Sequence, residues 1–379
     1  MAHKLLFIDH APVLGGAERI LLLLLKHLDW SCWEPHLACT GGLLAEQAVT
    51  LGVTVHTVPL PRLRHPSCFL WDWPLGVCAI TRLARQIGAV LLYANTVRAA
   101  FYAALAARLA CLPFFWHMHD FWLSESRPRR LWADRLGKRL LCAAAAHVIT
   151  NSQAVAAHLP SHRRITVVYN GIEIERFDLA MDGTLFRTRY GIPPDVPLVG
   201  TVGRLRPWKG QARFLRLAAQ VVREVPEAHF LVVGGEPFGV GDDYPQRLRC
   251  LAADLNLADR VAFTGHLNEV YPALAAMDVF VHPGDPEPFG LVNVEAMAMG
   301  KSVVAFAHGA LPEIVLNMET GLLVTPEDEA TLAEAILTLL RDPARRQAMG
   351  RAGRARVEAS FTAERMAAEI EAVWQQVVG

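Results

Sequence analysis

Residues 4–28 read KLLFIDHAPVLGGAERILLLLLKHL. A short apolar run of strand character passes through Asp9 and the Gly15-Gly16 turn into a segment of helical period, the pattern of one strand and its following helix in an α/β layer. The unit recurs along the chain. AVLLYAN (89–95) leads into RAAFYAALAARLA (98–110), HVITN (147–151) into SQAVAAHL (152–159), PLVGTVGR (197–204) into QARFLRLAAQVVREV (211–225), and HFLVVGG (229–235) into QRLRCLAADL (246–255). VFVHPG (279–284) and SVVAFA (302–307) flank the apolar LVNVEAMAMG (291–300). Alternation of this kind predicts parallel sheets with helices on both faces, and 379 residues are enough for two of them. The stretch 167–197 is rich in Gly, Pro and charge and is followed by a fresh strand, so we place the interdomain connection there. The expected division is 1–180, 181–360, and a last helix within 361–379 that has no strand after it and packs back on the first domain.

Composition excludes several classes. The chain is 53% hydrophobic and 20% charged, as expected of a soluble globular protein. Its longest aliphatic stretch, residues 20–28, is broken by Lys26 and His27 and is too short to span a bilayer. The beginning of the sequence lacks the long apolar region of a secretory signal, so a cytoplasmic location is expected. The seven cysteines are odd in number, contain no C-x-x-C pair and mostly lie in apolar sequence, which predicts reduced core thiols and neither a disulfide framework nor a zinc site. The formal net charge of zero conceals an asymmetry: residues 1–170 carry 17 Lys and Arg against 9 Asp and Glu, a basic front half.

The glycine turns at strand ends are where ligands gather in open α/β sheets. Gly15 and Gly16 let the backbone approach a bound group ahead of a helix start, although a plain tight turn explains them equally. GTVGRLRPWKGQ (200–211) is not a Walker loop, because Trp208 stands where glycine is needed and Gly210 where Ser or Thr is needed. Nor does any stretch match G-x-G-x-x-G. What remains is Gly203, with Arg204 and Lys209 after a strand, two cations able to neutralise a diphosphate. In EPFGLVNVE (287–295), Pro288 favours an extended lead-in, and Phe289, Gly290 and Leu291 lie where a helix begins and offers N–H groups to an anion. Glu287 outside that helix and Glu295 one turn into it can each accept from neighbouring hydroxyls. Two sugars joined by a diphosphate satisfy the whole set.

Taken in order, Gly15-Gly16-Ala17-Glu18, Gly203-Arg204-Leu205 with Lys209-Gly210, FTGHLN at 263–268, and Glu287 to Glu295 as E-x7-E resemble the family 4 retaining glycosyltransferases, of GT-B fold. The resemblance covers nearly the whole chain. It implies two Rossmann-like domains with parallel sheets facing an interdomain cleft, the amino-terminal one for the acceptor and the carboxyl-terminal one for the nucleotide sugar. It also implies site residues. Arg204 and Lys209 would bind the diphosphate, aided by N–H groups of Phe289, Gly290 and Leu291. Glu295 would take the ribose hydroxyls, Glu287 the transferred sugar, and Thr264, Gly265, His266, Leu267 and Asn268 the base, with Gly203 in the donor loop. Gly16 would approach the diphosphate from the other domain. Retention by front-face substitution needs no enzyme nucleophile, and with D-x-D absent and two cations present no metal or other cofactor is expected beside the nucleoside-diphosphate sugar co-substrate.

FFWHMHDFW (114–122) places two histidines at a strand end. The family carries a histidine near the reacting sugar at this point; His119 is the first choice and His117 the alternative. In the family's pattern HGALPEIV (308–315) departs by having Ala310 where relatives have a second glycine. RPRRLWADRLGKRLL (127–141) carries six basic residues, with Trp132, Leu136 and Leu140 on one helical stripe. It reads either as a surface for an anionic membrane, joined by the Arg- and aromatic-containing 60–75, or as an ordinary amphipathic helix with its stripe in the core. The expected partners are a nucleotide-sugar donor and a glycan or lipid-linked acceptor; no nucleic-acid motif is present. The rival readings are a nucleotide-sugar epimerase of the same fold and a catalytically silent nucleotide-sugar-binding subunit.

Overall fold

A computed structural model describes residues 2–61, 71–121, 131–160, 164–235 and 243–378. The chain forms two compact units, Met1–Gly171 with Ala363–Gly379, and Ile172–Thr362.

Among the described residues the first unit holds a parallel sheet of β1 His3–Ile8, β2 Trp33–Cys39, β3 Thr54–Thr57, β4 Leu91–Ala94, β5 Phe114–Met118, β6 His147–Thr150 and β7 Ile165–Val167. Their order is β3-β2-β1-β4-β5-β6-β7. Leu5, Leu6, Phe7 and Ile8 are all inaccessible, because a parallel strand covered by helices on both faces has no polar side. The chain winds outward from β1 through β2 to β3, then returns to the other side of β1 with β4. That reversal leaves a crevice at the carboxyl ends of β1 and β4, where Asp9 and Asn95 follow their strands.

The second unit repeats the plan with β8 Leu198–Val202, β9 His229–Val233, β10 Val261–Gly265, β11 Val279–His282, β12 Ser302–Phe306 and β13 Gly321–Val324. The order is β10-β9-β8-β11-β12-β13, so the reversal falls between β8 and β11, and Gly203 and His282 mark its carboxyl ends. Both sheets are parallel throughout, as the strand and helix alternation predicts.

The helix Ala363–Val378 belongs to the first unit. Its Trp374 is inaccessible, with ring centroids 5.9 Å from Phe7, 5.6 Å from Trp33 and 5.4 Å from Tyr93. Glu371 also accepts from the backbone N–H of Asp29 at 2.9 Å.

The boundary between the two units falls inside the stretch 167–197, which is not a free linker, since the chain from Ile172 to Thr362 is built into the second unit. Arg187, on the helix Thr184–Arg189, donates to the carbonyls of Ala276 (2.7 Å), Pro194 (2.9 Å) and Val196 (2.8 Å) and pairs with Asp278 at 3.1 Å, which folds the Gly- and Pro-rich segment against the sheet. The cysteines are mostly not core thiols either. Among the described residues only Cys39 and Cys142 are buried, while Cys32, Cys78, Cys111 and Cys250 are exposed. Finally, the stripe on the helix Leu131–Ala144 stays out of the core: Trp132 is 65% exposed, Leu136 48% and Leu140 59%, and Leu141 and Cys142 carry the buried face instead. Residues 127–130 of that basic segment and 62–70 of the second one lie outside the described residues. Among the described residues no helix is long and apolar enough to cross a membrane.

Candidate active site

In the second unit the loop after β8 is pressed onto the loop after β11. Gly210 has φ +77°, and a Cβ there would stand 2.3 Å from the Pro283 carbonyl, so only glycine allows the approach. Asp285 N donates to the Trp208 carbonyl at 2.7 Å across the same seam. The result is an ion pair: Lys209 Nζ donates to Glu287 Oε1, and His282 Nε2 lies 3.3 Å from the same oxygen. Burial pushes the Glu287 carboxyl up, but Lys209 and His282 more than offset it and hold it at about 2. Glu287 is therefore an anion at neutral pH. His282 Nδ1 is shielded from solvent and has no partner among the described residues.

Glu287 precedes the helix Leu291–Ala298, whose cap Gly290 has φ +88°. Asn293, fully buried, turns its Nδ2 back onto the Gly290 carbonyl at 3.1 Å and fixes this start. Phe289 is buried, Leu291 opens the helix and Glu295 is half-buried on it. Gly309, at φ +55°, lies so close to Glu287 that a Cβ would meet its backbone N at 2.7 Å, and Ala310 N donates to the Glu287 carbonyl at 2.9 Å. Ala310 itself has φ −84°, so the departure from the family pattern is accommodated without strain and Gly309 makes the close approach. Arg204 is exposed; its carbonyl accepts from buried Gln211 at 2.9 Å.

Beside the same strand ends lies a concavity of about 350 Å³ lined by Leu205, Gly234, Gly235, Arg249, Phe263 and Gly265 among others. A Cβ on Gly234 would stand 1.9 Å from the Gly203 carbonyl, and one on Gly235 would meet His266, so glycine lets the ends of β8, β9 and β10 converge. Of the predicted stretch 264–268, Gly265 and His266 line the concavity. Thr264 turns its hydroxyl to the Gly265 carbonyl at 2.8 Å, and Leu267 and Asn268 are not among the lining residues.

In the first unit, Gly15 N donates to Glu18 Oε2 at 2.8 Å at the start of the helix Gly16–His27, while a Cβ on Gly16 would meet nothing within 4 Å. The strand alternation places His117 and His119 on one side, with ring centroids 3.8 Å apart. His117 is buried and 2.6 Å from the Tyr93 hydroxyl; His119 keeps partial exposure and lies 3.0 Å from Asn95 Oδ1. Asp9, Asn95, His282, Asn293 and Gly309 escaped the sequence reading. Asn95 and His282 sit in the quoted AVLLYAN and VFVHPG, and their place at strand ends was the one signal available.

Two Rossmann-like units, each reversing strand order at its first strand, define the GT-B class. The family described as Glycosyltransferase Family 4 matches residues 14–176 and the one described as Glycosyl transferases group 1 matches residues 183–356. The chain is 32% identical over 323 residues to a D-inositol 3-phosphate glycosyltransferase of Stackebrandtia nassauensis, covering 78% of this chain and 71% of that one. It is 35% identical over 226 residues to the GDP-mannose-dependent monoacylated alpha-(1-6)-phosphatidylinositol monomannoside mannosyltransferase of Corynebacterium glutamicum, 57% of each chain. The structure of Anabaena Alr3699/HepE in complex with UDP and glucose superposes with a TM-score of 0.84 at 28% identity, covering 99% of this chain and 100% of that one. The chain belongs to glycosyltransferase family 4. It spans about half the length of several of the curated relatives it matches.

Proposed function

We propose that the protein transfers a sugar from a nucleoside diphosphate to a glycan or lipid-linked acceptor, with retention and without a metal ion. The observation that carries this reading is the Lys209–Glu287 pair at the start of the helix Leu291–Ala298. One cation, one shielded carboxylate and a helix amino end, brought together where the loops after β8 and β11 meet, suit a diphosphate joined to a polyol. Lys209 and Arg204, with the N–H groups of Phe289, Gly290 and Leu291, take the diphosphate; Glu287 takes hydroxyls of the sugar and Glu295 those of the ribose. The base occupies the concavity beside Gly203, Gly265 and His266. His119 stands by the reacting sugar. As the diphosphate departs, an oxocarbenium-like centre forms and the leaving oxygen accepts the acceptor's proton, so the protein supplies charge stabilisation and positioning. The names of the Corynebacterium and Stackebrandtia relatives favour an inositol-containing or lipid-linked acceptor.

Thermal denaturation in chelator with UDP, GDP, ADP and dTDP sugars tests the donor site, since a ligand bound by the native state alone raises its melting temperature. A selective shift followed by acceptor-dependent transfer supports the proposal. Conversion of the sugar nucleotide without acceptor favours the epimerase reading, and binding without turnover favours the silent subunit.

The exposed Trp132, Leu136 and Leu140 beside Arg135 and Arg139 support a peripheral location on the anionic inner face of a membrane. Replacement of the three apolar residues by Ser is expected to abolish sedimentation with anionic vesicles at low salt; sedimentation unchanged by the replacement would refute the assignment.

A further inference from the structure

The carboxyl ends of β1, β4 and β5 carry Asp9, Asn95 and His119, joined by one chain of hydrogen bonds. Asn95 Nδ2 donates to Asp9 Oδ2 at 2.7 Å and to the Ala17 carbonyl at 3.1 Å. A backbone carbonyl only accepts, and Asp9 already accepts the Ala11 N–H at 2.8 Å through its other oxygen. The NH₂ of the Asn95 amide therefore faces these two groups and its Oδ1 faces the other way, 3.0 Å from His119 Nε2. An amide oxygen cannot donate, so the proton of this contact belongs to Nε2. Burial keeps the ring neutral, pushing His119 down to about 3. Its Nδ1 is then a bare lone pair, shielded from solvent and without a partner among the described residues. The neighbouring His117 does not supply one: its Nδ1 is engaged by the Tyr93 hydroxyl, and its Nε2 is likewise without a partner among the described residues.

We infer that Asp9 and Asn95 are positioning residues that lock His119 as the Nε2–H tautomer, so that Nδ1 accepts a hydrogen bond from a hydroxyl of the bound sugar. The hydroxyl part rests on the proposed transferase reading, whereas the tautomer part does not. The chemistry is selective. A bare ring nitrogen attracts a group that donates, which a sugar hydroxyl does, and repels the oxygens of a diphosphate, which only accept. With the opposite tautomer the ring would present N–H to the sugar and lose this discrimination. The relay thus sets what kind of atom His119 will tolerate, while touching no ligand through Asp9 or Asn95 themselves.

Long-range ¹H–¹⁵N NMR of the full chain labelled at histidine nitrogen reads the tautomer directly, with His119 assigned by its loss in His119→Gln. The expected wild-type signature is a protonated Nε2 and a bare Nδ1 whose resonance moves on addition of GDP-mannose or UDP-glucose, whichever binds. Asn95→Leu should yield a mixture of tautomers and at least about a tenfold fall in kcat, with the donor KM little changed. Asn95→Asp, which keeps an oxygen opposite Nε2 and can share a proton with Asp9, should restore both the signature and most of the activity; melting curves check that each variant is folded. A proton on Nδ1 in the wild type, or an unchanged tautomer in folded Asn95→Leu, overturns the inference. If the wild type transfers no sugar yet shows the expected signature, the transferase reading fails and the tautomer lock stands, and an Nδ1 resonance unmoved by a bound donor overturns the hydroxyl contact.

Discussion

Lys209 and Glu287 are each other's counter-ion. Far apart in sequence, they suit separate tasks, a diphosphate and a sugar, yet in the folded second unit one ammonium and one carboxylate share an ion pair that His282 also supports. Such a pair keeps a cation and an anion desolvated and in place before any ligand arrives. On the proposed reading, a diphosphate would compete with Glu287 for Lys209, and the released carboxylate would then be available to hydroxyls, with His282 still beside it.

Removing the cation tests the first half of this exchange. Lys209→Met is expected to lower the transfer rate by about 10²–10³-fold, the usual cost of one group that stabilises developing charge. Single-turnover kinetics with saturating donor checks it; an unchanged rate would take Lys209 out of the diphosphate role.

Glu287→Gln tests the second half and moves two quantities in opposite directions. With its counter-ion neutralised, Lys209 is free for phosphate, so binding of a nucleoside diphosphate without sugar should tighten while transfer falls. Calorimetric titration with UDP and GDP measures the former, and weaker binding by the variant would contradict the competition.

Gly290→Ala should destabilise the second unit. The residue has φ +88° and the added Cβ would stand 2.7 Å from Asn293 Nδ2, a conformation that costs a non-glycine residue about 1–3 kcal/mol. A lower denaturation midpoint accompanied by weaker nucleotide binding is the expected outcome.

Trp374→Ala should cost about 3–5 kcal/mol, the range for emptying a large aromatic site in a core. The loss is expected in the unfolding of the first unit, because Phe7, Trp33 and Tyr93 are the rings that Trp374 packs against. Denaturant titration of the full chain reads it.

Asp9 gives a pH dependence with a definite sign. Burial first, and Glu18 second, push its carboxyl up from 3.8 to about 7. The native state therefore holds this proton more tightly than the unfolded chain does. Its contribution to stability is complete below 3.8 and is lost as pH rises through about 7. Thermal denaturation across that window should show a declining contribution that Asp9→Asn removes. Glu287, lowered from 4.5 to about 2, contributes with the opposite sign and its contribution is complete above 4.5, so the Asp9 decline is read between there and about 7.

The legible part of the fold was the part buried on both faces. β1 and β8 are nearly continuous apolar runs because they lie at the centre of their sheets, and the glycine turns that follow them announce the helix starts. The overlooked strands β3, β7, β10 and β13 are all sheet edges. Residues such as Thr54 and Thr57 in β3 stay exposed there, so no apolar run marks the strand. β2 is central but is disguised by Glu34, Pro35 and His36 in WEPHLAC.

For the site, sequence alone determined the residue types and their spacing: a cation after one strand, two carboxylates about a helix start, a histidine at the end of another. Those follow from local chain order, since a helix start and the loop before it are made by neighbouring residues. Tertiary structure alone decided which of them meet. Lys209 and Glu287 are brought together by Gly210 passing close to Pro283, and His119 receives its tautomer from Asn95 and Asp9, each at the end of a different strand. Pairing across strands depends on sheet order, and sheet order is set by the packing of the whole unit.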